Sequence, residues 1–177
     1  GESLSGIVRS YNMTGDGSWQ RAKEEERKAV IAAFATNTTI EYACFAASSI
    51  NEDLGVLWGE VLLRNRSLTT LSLESNMLQT ESIEKIATAV SGTPALKELR
   101  LANQHKNFAQ AVEAKLADAI EANHRITKLT VDLRATNARD RIQKALNRNQ
   151  QEAREAKRAG GEVPFGDALA SGPVPGV

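Results

Sequence analysis

Residues that could carry out nucleophilic or metal chemistry are few in this chain. It has one cysteine, Cys44, and two histidines, His105 and His124. A thiolate beside an imidazole base can attack a carbonyl group, and thiolates and imidazoles together are common zinc ligands. However, neither histidine lies at a ligand-like spacing from Cys44, nothing identifies a third group that would orient a nucleophile, and no phosphate-binding or dinucleotide-binding motif occurs. The sequence therefore predicts a protein that is not an enzyme and that binds no cofactor and no metal ion.

Charge is balanced over the whole chain. The 177 residues include 22 Lys and Arg and 22 Asp and Glu, so the formal net charge is zero. Without a cationic excess there is little attraction to nucleic acid or to anionic lipid, and no apolar run approaches the ~20 residues that span a bilayer. We therefore expect a protein that binds neither nucleic acid nor membrane, and we also expect it to be cytoplasmic and monomeric.

Cations are nevertheless concentrated near the C-terminus. Seven of them, against three anions, lie between residues 139 and 158, so this stretch carries 7 − 3 = +4. Such a surface favours association with an acidic protein, because charge complementarity speeds and orients binding. It also has a simpler interpretation, since basic residues near a helix C-terminus complement the helix dipole while they stay solvated. The cations are Arg139, Arg141, Lys144, Arg148, Arg154, Lys157 and Arg158.

An internal repeat predicts the elements that position these residues. Four segments align on a first apolar residue at Ile40, Leu68, Leu96 and Ile126, at intervals of 28, 28 and 30 residues. Each follows the pattern L-x-x-L-x-L-x-x-N, which the segment beginning at Leu68 matches in full through Asn76. Other residues take the asparagine position in the remaining copies: Ser48, Gln104 and Arg134.

Two periodicities alternate within each unit. Apolar residues two positions apart share one face of a strand, and the spacers have apolar residues at the three-to-four-residue interval of a helix. A strand followed by a helix at this repeat length is typical of leucine-rich repeats. The sequence therefore predicts an α/β fold: a right-handed leucine-rich-repeat solenoid with a short parallel sheet on its concave side, helices on its convex side and a C-terminal capping helix. One buried row is expected to contain Leu71, Leu73, Leu99, Leu101, Leu129 and Val131.

The residues that alternate with these apolar positions are expected on the concave face of the sheet. They are small, mixed in charge and poor in aromatic rings, whereas binding hot spots favour Trp, Tyr and Arg. We therefore expect this face to be solvated rather than to be the main binding site. Its central rows contain Tyr42, Thr70, Glu98 and Lys128, and then Cys44, Ser72, Arg100 and Thr130.

The two ends of the chain differ from the repeats. Residues 18–36 are expected to form one charged helix that buries Val30, Ile31 and Phe34, and residues 137–159 a last helix that covers the open end of the solenoid. Gly, Pro and Ala dominate from residue 160 onward, a composition that cannot bury a periodic apolar face. We therefore divide the chain into a partly disordered N-terminal segment (1–17), the repeat domain with its capping helix (18–159), and a disordered tail (160–177) that contributes nothing to folding.

Four stretches carry a resemblance to a known family: NRSLTTLSLESNMLQ at 65–79, LKELRLANQ at 96–104, EANHRITKL at 121–129 and RATNARDRIQKALNRNQQEAREAKR at 134–158. In order and spacing they resemble the C-terminal leucine-rich-repeat domain of tropomodulins and leiomodins. The resemblance implies a non-enzymatic, actin-binding module of the cytoskeleton that caps or regulates filament pointed ends. It assigns any tropomyosin binding to an N-terminal region that is missing here. The alternative is a generic intracellular leucine-rich-repeat scaffold for protein–protein interaction.

The terminal helix is where this resemblance and the charge excess coincide. Arg148, Arg154, Lys157 and Arg158 follow its strongest core positions, so we expect their side chains to project outward and bind actin. If that helix is not the site, the loops after the strands, around residues 75–79 and 103–107, are the next candidates.

Overall fold

The computed structural model describes residues 8–160, in which five short strands are interleaved with six helices. The predicted tail, apart from Gly160, and residues 1–7 of the predicted N-terminal segment lie outside the described residues. In the described part, no helix combines the length and the apolar character needed to cross a membrane. The strands are β1 (Ser10–Asn12), β2 (Tyr42–Cys44), β3 (Thr70–Ser72), β4 (Glu98–Arg100) and β5 (Lys128–Thr130). The helices are α1 (Gly17–Arg21), α2 (Glu24–Ala33), α3 (Glu52–Arg64), α4 (Thr80–Gly92), α5 (Gln110–Ala122) and α6 (Thr136–Arg158).

All five strands are parallel and pair in chain order, β1-β2-β3-β4-β5. The pairing places Leu71 opposite Ala43 on one side and Leu99 on the other, and Leu99 opposite Leu129. The sequence repeat is therefore a repeat in space, with helices packed on one face of the sheet. This confirms the predicted α/β class with a parallel sheet and helices. The face opposite the core, called the open face here, bears Tyr42, Thr70, Glu98 and Lys128 in one row and Cys44, Ser72, Arg100 and Thr130 in the next.

The core lies between the sheet and the helices. The four leucines that the β3 and β4 units contribute are at most 1% exposed, as predicted: Leu71, Leu73, Leu99 and Leu101. Leu129 and Val131 are only half-buried, so the prediction of one fully buried row was wrong at its end. The reason is that β5 is the edge strand of the sheet within residues 8–160, where no further repeat covers its far side.

The N-terminal end departs from the prediction in two ways. Residues 10–12 form β1 and pair with β2, so the sheet begins before the expected domain boundary at residue 18. The helix expected over residues 18–36 is two helices. The Asp16 carboxylate caps α1 by accepting a hydrogen bond from the Trp19 N–H (2.8 Å), and the Lys23 N–H donates to Glu26 (2.8 Å) where α2 begins. A cluster of packed rings closes this end of the core: Tyr11, Trp19, Phe34, Phe45 and Trp58.

Side-chain amides join each repeat to the one before it. Oδ1 of Asn76 accepts hydrogen bonds from the N–H groups of Ser48 and Ile50, both at 3.0 Å, and Nδ2 donates to the Phe45 carbonyl oxygen at 2.8 Å. Gln104 takes the same place one unit later. A second set of buried amides donates hydrogen bonds to backbone carbonyl groups at or near the end of the preceding helix. These amides belong to Asn65, Asn123 and Asn149.

Candidate protein-interaction surface

The terminal helix α6 is anchored to the solenoid by an apolar stripe with hydrogen bonds at both of its ends. The buried Glu113 carboxylate accepts hydrogen bonds from the N–H groups of Arg134 (2.9 Å) and Ala135 (2.8 Å), just before the helix. At the other end, Nδ2 of Asn149 donates to the carbonyl oxygens of Asn123 (2.8 Å) and Ile126 (2.7 Å). The buried stripe between them follows the predicted spacing and contains Ala138, Ile142, Ala145, Leu146 and Asn149.

Two of the seven α6 cations are used to hold α5. Arg141 pairs with Glu121 and with Asp118 (2.6 Å to the latter), and these hydrogen bonds, the one to Glu121 first, raise the pKa of Arg141 above its usual range. Nη2 of Arg148 donates to the carbonyl oxygens of Glu121 (3.0 Å) and Asn123 (2.9 Å). Carbonyl groups at a helix C-terminus lack partners within the helix, so Arg148 caps α5. Contrary to the expectation, its side chain is half-buried and directed into the protein.

Arg154, Lys157 and Arg158 lie beyond the anchored part of α6. Past Asn149, Gln150 Nε2 still donates to the Thr127 carbonyl oxygen (2.8 Å) and Glu152 lies 3.0 Å from His124. The helix continues six residues past Glu152 (158 − 152), about 9 Å at 1.5 Å per residue. All three side chains are exposed, and none of them forms a salt bridge within residues 8–160. Their positions i, i+3 and i+4 place them close together on the helix surface. These three residues are called the cationic end of α6 below.

A shallow groove of about 330 Å³ runs along the exposed side of α6 beside the cationic end. Its amide groups are partly paired along the helix, since Gln151 Nε2 donates to Glu155 Oε1 (2.9 Å). Amide and guanidinium N–H groups donate hydrogen bonds to carboxylates and to backbone carbonyls, so this surface suits an acidic protein partner. The groove is lined by Asn147, Gln150, Gln151, Arg154, Glu155 and Arg158.

The open face of the sheet pairs its own charges. The Glu98 carboxylate accepts hydrogen bonds from Nε of Arg100 (2.6 Å) and Nζ of Lys128 (2.8 Å). Burial opposes ionisation of Glu98, but Lys128 and Arg100 outweigh it and lower the pKa of that carboxyl. The one carboxylate offsets part of the charge of both cations, which leaves the centre of the open face less suited than α6 to attract a charged partner.

The thiol and the two imidazoles do not form a site. Cys44 is buried on β2, where Sγ lies 3.2 Å from Oγ1 of Thr14. Burial raises the pKa of the Cys44 thiol, but hydrogen bonds, with that from Thr14 first, outweigh it and leave the pKa below its ordinary value. His105 lies in the loop after β4, and His124 lies 3.0 Å from Glu152. Within residues 8–160, no group of three or more His, Cys, Asp or Glu residues could hold a metal ion.

A second surface lies at the loops that follow β3 and β4, and the sequence analysis did not single out its apolar residue. Met77 is 41% exposed. It lines a groove of about 220 Å³ together with Gln79, His105 and Lys106, and Lys106 Nζ donates to Gln79 Oε1 (3.3 Å). The signal that could have identified Met77 is its place directly after the repeat's asparagine, where the apolar pattern does not require a large side chain.

Three comparisons place these features among known proteins. The family described as the TMOD/LMOD leucine-rich domain matches residues 19–152. Tropomodulin-4 of Bos taurus is 28% identical over 126 residues, which are 71% of this chain and 36% of the relative. The solved tropomodulin C-terminal domain of Caenorhabditis elegans has a TM-score of 0.78 at 25% identity, over 86% of this chain and 90% of that one. The structure titled Leiomodin-1 Actin-Binding Site 2 has a TM-score of 0.79 at 21% identity, over 86% of both chains, a likeness of fold.

The matched region is most of the described chain. It begins within α1 and ends within α6, so it takes in β2 to β5 and the helices between them. The chain spans about a third of the length of Tropomodulin-4, 36%. The repeat spacing, the parallel sheet and the long terminal helix all agree with this match. The chain therefore belongs to the tropomodulin/leiomodin leucine-rich domain family.

Proposed function

We propose that this chain is an actin-binding module of the cytoskeleton and that the cationic end of α6 is its principal contact with actin. In this proposal the domain binds at the pointed end of a filament and slows subunit exchange there, without covalent chemistry. The observation that carries the proposal is a group of exposed cations at the end of an otherwise anchored helix, none of which has a salt-bridge partner within residues 8–160: Arg154, Lys157 and Arg158.

The identity of the partner is supported by family membership. The leiomodin-1 structure with the same fold is titled an actin-binding site, and actin is an acidic protein. Charge complementarity acts mainly on the rate of encounter, and exposed charges at the rim of an interface change that rate more than they change dissociation. Tropomyosin has no part in this contact, because the resemblance assigns tropomyosin binding to another region of the longer relatives.

The test is a triple charge reversal, R154E/K157E/R158E, which leaves the structural residue Arg148 in place. We expect slower association with actin and weaker inhibition of pointed-end elongation, measured with filaments whose barbed ends are blocked. The inhibition that remains should depend less on salt, because screening acts on the exposed charges that were changed. The circular dichroism spectrum should be unchanged. Inhibition equal to that of the unmodified chain would reject the cationic end of α6 as the site.

A matched control separates the site from the charge change itself. R64E/R66E/K97E reverses three other exposed cations, one of which, Arg64, lies in the last turn of α3, much as Lys157 and Arg158 lie in the last turn of α6. It therefore reproduces both the change in net charge and the loss of a favourable helix-dipole interaction. We expect this control to inhibit pointed-end elongation as the unmodified chain does.

The second candidate function is a generic leucine-rich-repeat scaffold that binds a different intracellular protein. The exposed Met77 beside His105 and Lys106 favours it, because an apolar side chain beside polar groups suits a protein contact. Failure of the unmodified chain both to sediment with actin filaments and to slow pointed-end elongation would favour this second function.

A further inference from the structure

We propose that residues 161–177 act as a tethered competitor at the cationic end of α6, so that the chain weakens its own binding to an acidic partner. The consequence for actin rests on the proposed function, whereas the contact within the chain does not. Three properties carry the proposal: the surface that α6 leaves free, the point at which the segment is attached, and the composition of the segment.

The free surface is electrostatically incomplete. Arg141 and Arg148 are engaged by carboxylates or carbonyls of α5. In contrast, Arg154, Lys157 and Arg158 lie within five residues of one another, and no carboxylate in residues 8–160 pairs with them. Like charges at i and i+4 repel each other on a helix. An anion attached nearby would relieve that repulsion.

The point of attachment lies directly beside these cations. The last turn of α6 is closed by the Ala159 N–H, which donates to the Glu155 carbonyl oxygen (2.9 Å), and by the Gly160 N–H, which donates to that of Lys157 (3.4 Å). Gly160 has φ of +74°, the left-handed conformation that commonly ends helices and changes the direction of the chain. The backbone therefore turns away from the helix axis at Gly160, beside Lys157 and Arg158.

The segment has the charge and the length to cover the groove. It contains two carboxylates, Glu162 and Asp167, and no Lys or Arg. Glu162 and Asp167 are five positions apart (167 − 162), which in an extended chain allows a separation of up to about 17 Å. Asn147 and Arg158, the first and last residues that line the groove, are eleven positions apart (158 − 147) on the helix, which is also about 17 Å. Two carboxylates can therefore reach both ends of the groove on α6 at once.

A weak contact is sufficient because the segment is tethered. Attachment through a few residues gives an effective concentration of about the millimolar range, so a contact with a dissociation constant of about 1 mM is formed roughly half of the time. The surface is then free in about half of the molecules, so the apparent affinity for a competing partner falls about twofold. The contact should be lost at about 1 M salt, where the Debye length is near 3 Å.

The first measurement tests the contact without actin. It compares the backbone amide NMR shifts of residues 147–156 in the full chain, in a chain that ends at Gly160 with an amidated C-terminus, which adds no new carboxylate, and in E162Q/D167N. We expect the full chain to differ from both other forms at low salt and to coincide with them at about 1 M salt. The control D53N/E60Q removes two exposed carboxylates of α3 and should give the shifts of the full chain. Coincident shifts in all forms at low salt would overturn the proposal.

The second measurement tests the consequence, the association rate with monomeric actin at low salt. The shortened chain and E162Q/D167N should associate about twofold faster than the full chain and than D53N/E60Q. Shift differences together with equal association rates would overturn the competition. Shift differences with no actin binding by any form would overturn the proposed function and leave the contact within the chain established.

Discussion

Replacement of Asn76 by alanine is expected to destabilise the protein by about 2–6 kcal/mol. The Asn76 side chain is 3% exposed and bonds to backbone groups of two repeats. Its Oδ1 accepts hydrogen bonds from the N–H groups of Ser48 and Ile50, and its Nδ2 donates to the carbonyl oxygens of Phe45 (2.8 Å) and Leu73 (2.9 Å). In the alanine variant both N–H groups lose their acceptor. Each buried donor left without a partner costs about 1–3 kcal/mol, and two give the stated range.

Urea unfolding followed by circular dichroism measures this loss. With an m-value of about 2 kcal/mol per M, the midpoint should fall by about 1–3 M. The matched control is Asn147→Ala, which removes an exposed asparagine of α6 that accepts one hydrogen bond from Gln143 and should change stability by less than about 0.5 kcal/mol. Asn76→Gln should lose less than Asn76→Ala, because Gln104 fills the corresponding place one unit later. A loss below about 1 kcal/mol in Asn76→Ala would refute the assignment of repeat-to-repeat coupling to this amide.

Three further predictions concern other contacts. Gly59→Ala on α3 should lower stability in a thermal melt by about 1–3 kcal/mol, because the new Cβ would lie 2.8 Å from Cβ and 2.9 Å from the carbonyl carbon of Lys85. In the control Gly92→Ala the new Cβ has no atom within 4 Å, so this change should be neutral or stabilising in the same measurement. Burial opposes ionisation of Glu52, but hydrogen bonds from α4 outweigh it and lower its pKa below 4.5. The ionised carboxylate therefore stabilises the fold fully above pH 4.5, and this contribution is lost as the pH falls through the lower pKa of the folded state. Glu52→Gln should therefore lose less stability than the unmodified chain between about pH 5 and pH 3, and equal losses would contradict this. Arg148→Ala should lower stability in urea unfolding by about 1.5–3 kcal/mol and leave the salt dependence of actin association unchanged. Unchanged stability together with a weaker salt dependence of association would instead make Arg148 a contact residue.

The repeat could be predicted because its signal is local and recurs. Leu71 and Leu99 are 28 residues apart in sequence and lie opposite each other in the sheet. β1 escaped prediction because Ser10 and its partner Tyr42 are 32 residues apart (42 − 10), outside the 28-residue interval, and because the strand lacks leucine. The break between α1 and α2 lies at Ala22 and Lys23, where the backbone is extended and the Lys23 N–H donates to Glu26, and periodicity of apolar residues does not detect such a local change.

The candidate site could be predicted only in part. Charge composition was sufficient to place a cationic surface on α6, because residues 139–158 contain seven cations and only three anions. The difference between Arg148 and Arg154 could not be predicted from composition. It depends on the carbonyl groups of Glu121 and Asn123, which are more than twenty residues away in sequence and reach Arg148 only when α6 packs on α5.

The extension of α6 past Glu152 sets how strongly this end of the protein resists local opening. A helical segment of six residues (158 − 152) is not stable in water alone, and this one persists because the anchored turns before it supply the costly nucleus. Repulsion among its three cations works against it. We therefore expect its amide hydrogens to exchange with solvent far faster than those between Ala138 and Asn149. A partner that supplies the missing negative charge would slow this exchange, so that binding at the cationic end and ordering of the last turns of α6 form a single equilibrium.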